Sequence, residues 1–230
     1  WSQTLLPSLV TSVLYFAIFG SILGARIGSL DGVPYILFVV PGLVMLAVIT
    51  SAFMEVASTF FFAKFFSRNI DEVLVSTTPP IVSIAGYIAS GIVRGMLVGL
   101  LVLLVSLFFA LPSIAHPGIV FLFLFLSSLV FALGGLINGI YAKNFDGITN
   151  VPTFVLTPLV YLGGVFYSIH SLPPFWQSVS LVNPIFYIIN GFRYGFLGTS
   201  DVSIYLCISV LLVLTAVLVG VNLYYLKKGL

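Results

Sequence analysis

Two ionisable residues, Glu55 and Arg94, stand inside long apolar runs. An ionised side chain near the middle of a bilayer costs at least ~2.5–3.5 kcal/mol even on the lenient insertion scale, so each must face protein or water rather than lipid. Glu55 lies about nine residues before one end of its run, and Arg94 about fourteen after the start of the next. At ~1.5 Å per residue their depths differ by less than ~10 Å, within reach of two long side chains on tilted helices. The chemistry open to them is an ion pair locking adjacent helices, which the spacing favours, or a charged pair facing a solute.

The polar connector between those runs, residues 64–80, reads KFFSRNIDEVLVSTTPP. Ser67, Arg68, Asn69, Ile70, Asp71, Glu72, Val73 and Leu74 make its centre. Ile70, Val73 and Leu74 fall at i, i+3 and i+4, which predicts a short helix with one apolar edge. Such a helix can lie on the membrane face and take force from a soluble partner, or simply join two spans. Elsewhere, His116 and His170 stand alone beside turns and read as solvated. Cys207 is the sole cysteine, so neither an internal disulfide nor a thiolate metal cluster is available. No HExxH, GxSxG or GxxxxGK[ST] pattern occurs, so the chain is not expected to be an enzyme or to hydrolyse nucleotide by itself.

The elements that position these residues follow from composition. Sixty per cent of the 230 residues are hydrophobic and 6% are charged, against about a quarter charged in soluble domains. The chain is therefore expected to be an all-α integral membrane protein. A net charge of +2 gives no footprint for nucleic acid. Apolar runs and their breakers predict six transmembrane helices at about 5–23, 34–63, 80–111, 118–141, 148–167 and 203–226, in one domain covering 1–230. Lys64, Arg68, Lys143, Lys227 and Lys228 fall in connectors on one side, and only Arg26 and Arg193 on the other. That bias places both termini in the cytoplasm.

Between the fifth and sixth spans the sequence is too apolar for a loop and too broken for a span. Pro173 and Pro174 can open one short helix, and Asn183–Pro184 closes it and opens a second. An outer re-entrant helical hairpin is the expectation. Trp176 reads as an aromatic-belt residue, as do most of the neighbouring tyrosines, and Arg193 as a snorkelling cation at the outer interface. Gly91, Gly95 and Gly99 recur every four residues, a close-packing face within the chain or across a dimer. Gly134, Gly135 and Gly139 surround Asn138, an amide needing a partner.

Four stretches, FVVPGLVMLAVITSAF, FSRNIDEVLVSTTPP, VPTFVLTPLVYLGGVFYS and LPPFWQSVSLVNPIFYIINGFRYGFLG, resemble ABC-2 type permeases, most of all the YadH-like branch related to the NodJ nodulation exporters. The likeness covers nearly the whole chain, with Asn183, Pro184 and Arg193 its most telling marks. It implies an ABC-2 or type V exporter-like half-transporter of the bacterial inner membrane, paired as a homodimer among membrane lipids and served by two copies of a separate cytoplasmic ATPase. ATP and Mg would sit on that partner, with no cofactor on this chain. Residues 67–78 would be the coupling helix and 172–197 the re-entrant hairpin and gate. A path along the dimer axis would be lined mainly by the second and fifth spans, with Phe53, Asn138, Tyr161 and Tyr167 as candidate path residues. An N-terminal interfacial helix would precede Trp1. The sparse charge suggests an amphipathic drug, lipid or glycan-type substrate, and the resemblance implies that it moves outward. A self-contained secondary transporter or channel is the alternative, although no inverted repeat is visible by hydropathy. An intramembrane enzyme lacks a nucleophile–base or metal set.

Overall fold

The computed structural model describes residues 2–30, 32–66 and 79–227. Helix α1 (Ser2–Tyr15) continues through a π-helical stretch (Phe16–Leu23) into a last turn, α2 (Gly24–Ile27). Gly28 ends it at φ +74°, where a side chain would strain the backbone. A two-stranded ribbon, β1 (Ser29–Leu30) with β2 (Val33–Pro34), then turns the chain back.

Helix α3 (Tyr35–Phe65) is 31 residues long. At ~1.5 Å per residue it rises ~46 Å, well beyond the ~30 Å of hydrocarbon. It is apolar all round, and 78% of its most hydrophobic window is buried. A helix with no polar face belongs in the interior, and α3 is the axis around which the others pack. Helix α4 (Pro80–Ser106) and α5 (Pro117–Tyr141) both lie against it, each with proline in its first turn, where the missing N–H is no loss. Between these two, α4 ends at Ser106 rather than near residue 111, and the backbone N–H groups of Ala115 and His116 pair with the carbonyls of Phe196 and Gly195 at 3.2 and 2.8 Å.

The glycines of α4 form a seam inside the chain. A methyl group on Gly91 would collide with Val56 and Ala132, one on Gly95 with Ser128, and one on Gly99 with Leu124 and Val48. On α5, Gly135 and Gly139 lie against the carbonyl oxygens of Phe53 and Ala57. Small residues thus let three backbones approach closely, where dispersion supplies the attraction that water does not.

The expected fifth span differs from the others. Residues 145–162 are helical in three pieces, α6 (Phe145–Val151), a π-helical turn (Pro152–Leu156) and α7 (Thr157–Leu162), of seven, five and six residues. Pro158 cannot donate to the ladder and crowds the carbonyl four residues back, and the wider turn relieves both problems. The N–H of Thr157 accordingly reaches five residues back to Pro152. Gly163 and Gly164, the latter at φ +82°, then end the helix. After a 3-10 turn (Ile169–Ser171) come α8 (Pro174–Val182) and α9 (Pro184–Leu197), nine and fourteen residues long. These rise ~13 and ~21 Å, too little to cross a bilayer. The last described element is α10 (Ile204–Lys227). Five helical stretches among the described residues, 5–27, 35–65, 81–106, 117–141 and 204–226, are long and apolar enough to span.

Replacing Gly95 by Val should cost about 1–3 kcal/mol through overpacking, seen as a lower melting temperature in detergent. Gly86→Ala, on the same helix with open space at its Cβ position, should leave that temperature unchanged or slightly higher.

Candidate functional site

The glycine seam brings Glu55 and Arg94 together. Ala52 and Val56 contact Gly95 and Gly91, so residue 55 of α3 and residue 94 of α4 lie beside the closest approach of the two helices. Arg94 donates from Nη1 to Oε2 of Glu55, and both side chains keep about a quarter of their surface exposed (26% and 24%). The pair neutralises two charges that neither helix could carry alone into an apolar phase.

At the end of α3 that carries Lys64, a second set of interactions fixes the helix. Lys64 Nζ donates to Ile140 O at 2.8 Å, placing a cation against the C-terminal carbonyls of α5. Phe61 and Phe62 meet Phe145 edge-on, with ring centroids 6.2 and 6.0 Å away. Asn138 Nδ2 donates to Ile148 O at 3.0 Å, joining α5 to α6. Ser67, Arg68, Asn69, Ile70, Asp71, Glu72, Val73 and Leu74, the centre of the expected coupling helix, lie outside the described residues.

The opposite end holds the broken hairpin. Helix α7 leaves carbonyls without intrahelical partners, as every helix C-terminus does. Ser180 Oγ donates to Leu162 O at 3.1 Å and Asn183 Nδ2 to Leu159 O at 2.5 Å. Asn183 also caps α9, accepting from the N–H of Ile185 at 3.0 Å. One side chain thus closes α9 at its start and α7 at its end. Pro173 and Pro174 open α8, where Trp176 is exposed and edge-on to Phe175.

Arg193 departs from expectation. It does not snorkel to an interface but is buried, 5% exposed, with Nη2 donating to Gly164 O at 2.6 Å and its guanidinium 3.8 Å from the centroid of the Phe38 ring. The fold turns this face of α9 onto α3, so a carbonyl and an aromatic face solvate the cation in place of water. Asn190, one turn earlier and also buried, exchanges two hydrogen bonds with Asp201: its Oδ1 accepts from the Asp201 N–H at 3.1 Å and its Nδ2 donates to Oδ2 at 3.3 Å. His170, well exposed, comes within 3.8 Å of the same carboxylate. Asn190 and Asp201 escaped the sequence reading. The available signal was a lone amide within an apolar half-helix.

The four candidate path residues separate. Phe53 is buried against Gly134 and Gly135, and Asn138 is held within the bundle by Ile148. Tyr161 is exposed, with its hydroxyl 3.3 Å from that of Tyr15, while the Tyr167 hydroxyl is buried.

Comparison with known proteins adds to this geometry. The family model described as ABC-2 type transporter matches residues 1–197. The chain is 55% identical over 214 residues to the inner membrane transport permease YadH of Escherichia coli (strain K12), covering 93% of this chain and 83% of that one. It is 29% identical over 199 residues to nodulation protein J of Sinorhizobium fredii (strain NBRC 101917 / NGR234), covering 82% and 72%.

Arg94→Met leaves Glu55 without its cation and should destabilise the protein by about 2–3 kcal/mol. The double variant Glu55→Gln with Arg94→Met removes both charges and should recover part of that loss, measured as melting temperature in detergent.

Proposed function

The chain belongs to the ABC-2 type transporter family, and from that premise we propose that it is the permease subunit of an ATP-driven exporter in the bacterial inner membrane. It works as one of two identical copies and draws energy from a separate cytoplasmic ATPase, also present twice, which binds the ATP and Mg. The observation that carries this reading is the 55% identity, over nearly the whole chain, to a protein named as an inner membrane transport permease.

In this reading the permease domain spans 1–230, and 148–167 passes the membrane as a sixth, broken segment in addition to the five long helices. Residues 172–197 form a re-entrant hairpin on the outer side. The satisfied backbone of that region supports the assignment, because irregular chain at membrane depth is tolerated only where protein or a water-filled cavity receives its polar groups. Burial of Arg193 also strengthens the charge bias: of the two outer cations only Arg26 remains exposed, which favours the Lys64 and Lys143 end as cytoplasmic.

Residues 67–78 then form the coupling segment. It follows directly on the end of α3, which Lys64 and the phenylalanine cluster tie to α5 and α6. Displacement of the segment by a closing ATPase would therefore move three helices together, a rigid-body shift of the kind by which transporters change access. The dominance of apolar residues suits an amphipathic drug, lipid or glycan-type cargo, moved outward.

Asp71→Lys with Glu72→Lys should reduce co-purification of the ATPase by tenfold or more, about 1.4 kcal/mol or more of lost binding. Unchanged partner binding and hydrolysis would remove 67–78 from the coupling role. For orientation, a cysteine at Thr199 in a Cys207→Ser background should react with an impermeant maleimide on intact spheroplasts, whereas one at Lys143 should react only after permeabilisation.

A further inference from the structure

The stretch from His170 to Asp201 holds two short helices, α8 and α9, and its two ends meet. His170 sits in the 3-10 turn Ile169–Ser171 that leads into α8, and Asp201 in the connector between α9 and α10. Nε2 of the histidine lies 3.8 Å from Oδ1 of the carboxylate. The partners are unequal, the His170 side chain being 68% exposed and that of Asp201 19%. Asn190, buried in α9, holds the other carboxylate oxygen and the Asp201 N–H. The acceptor is thus fixed before the histidine approaches, and the ordering cost of the contact falls on one side chain alone.

Among the described residues the hydrogen bonds of the turn itself are local. The N–H groups of Ser171 and Leu172 donate to Ser168 O and Ile169 O at 3.1 and 3.2 Å, and Ser171 Oγ to Ser168 O at 2.7 Å. Beyond them, Ile169 is buried and His170 reaches Asp201. A segment fastened so sparingly opens at small cost, and one further tie can change how often it does. Histidine is the side chain that gains charge just below neutral pH. Other ionisable groups around it have partners of their own. Arg193 of α9 is turned onto Gly164 O and Phe38, Tyr187 donates to Leu181 O, and Tyr35 of α3 donates to Phe166 O. His116, at the start of α5, stacks on Tyr194. Helix α8, which packs on the turn, carries no ionisable residue, and Asp201 is the one charge of 198–203. Asp31 lies outside the described residues.

We propose that His170 and Asp201 form a latch that acid closes: the protonated imidazole ties the turn that enters the hairpin to the connector that leaves it. The sign follows from the charges. A cation that gains an anionic partner on closing favours the closed form, so the tie is present at acid pH and is lost as the imidazole gives up its proton. A carboxylate stays ionised throughout that range. Where the hairpin serves as the outer gate, the latch holds the two ends of that gate together. It is independent of the ATPase, so its failure would leave the permease reading intact.

The test is hydrogen–deuterium exchange on purified protein in lipid nanodiscs at about pH 5.5 and about pH 8, either side of the range in which histidine changes charge. The peptide carrying the Ser171 and Leu172 amides is followed by mass spectrometry and corrected for the pH dependence of the chemical exchange rate. Protection of those amides should be about two- to fivefold higher at the acid pH, the span of an ion pair with one exposed member. His170→Gln and Asp201→Asn should each bring the ratio to one, while protection across 204–226 stays as in the unsubstituted protein. Asparagine at 201 keeps a backbone N–H and a carbonyl oxygen for Asn190, so that variant retains the scaffold and loses the charge. His116→Gln should preserve the acid effect. In the unsubstituted protein, about 1 M salt, which shortens the screening length to about 3 Å, should move the ratio towards one. A ratio of one without added salt overturns the proposal. So does an acid effect that ignores salt, survives His170→Gln or Asp201→Asn, or disappears with His116→Gln.

Discussion

Hydrocarbon offers no water to complete a backbone hydrogen bond, so a chain this apolar must satisfy its own peptide groups wherever its helices break. Most of the fold meets the demand with long continuous helices. The exception is the stretch from α7 to α9, where prolines and a glycine pair interrupt the ladder within a few residues. There the side chains of Ser180, Asn183 and Arg193 deliver hydrogen bonds to the carbonyls of Leu162, Leu159 and Gly164. Those three contacts anchor the irregular end of the bundle, together with the Tyr35 hydroxyl on Phe166 O and the Gln177 amide on Leu172 O.

Close packing is the second constraint, and it governs where charge can sit. Three glycines on α4 and two on α5 draw the helices so near to α3 that backbone and small side chains touch. That proximity lets a carboxylate on one helix meet a guanidinium on the next. Seen this way, the ion pair is a consequence of the glycine seam rather than its cause. At the Lys64 end the same logic recurs with different groups, a lysine against helix-end carbonyls and phenylalanines against one another, so that α3 is held to its neighbours both along its middle and at that end.

Much of this was legible from residues alone because the signals are local. Apolar runs of sufficient length imply spanning helices whatever their partners, and a proline pair followed by asparagine–proline breaks a helix wherever it falls. Glu55 and Arg94 could be matched because helical rise converts sequence distance into depth. Other features were not legible because they depend on which faces meet. Arg193 looked like a surface cation, and only the docking of α9 on α3 places Phe38 beneath it. Asn190 and Asp201 are eleven residues apart with no pattern linking them, yet a turn at Gly198 brings them into contact. Asn138 read as an amide needing a partner, and only the packing of α5 on α6 identifies that partner as the Ile148 carbonyl.

The sequence by itself determined the solvent, the helical class, the proline-marked breaks of residues 172–184 and the family, because hydrophobicity, chain length and proline chemistry act through neighbouring residues. Tertiary structure alone decided which polar groups solvate which. In an apolar phase a hydrogen-bond partner must come from another helix, and the identity of that partner is set by how the helices rotate against one another.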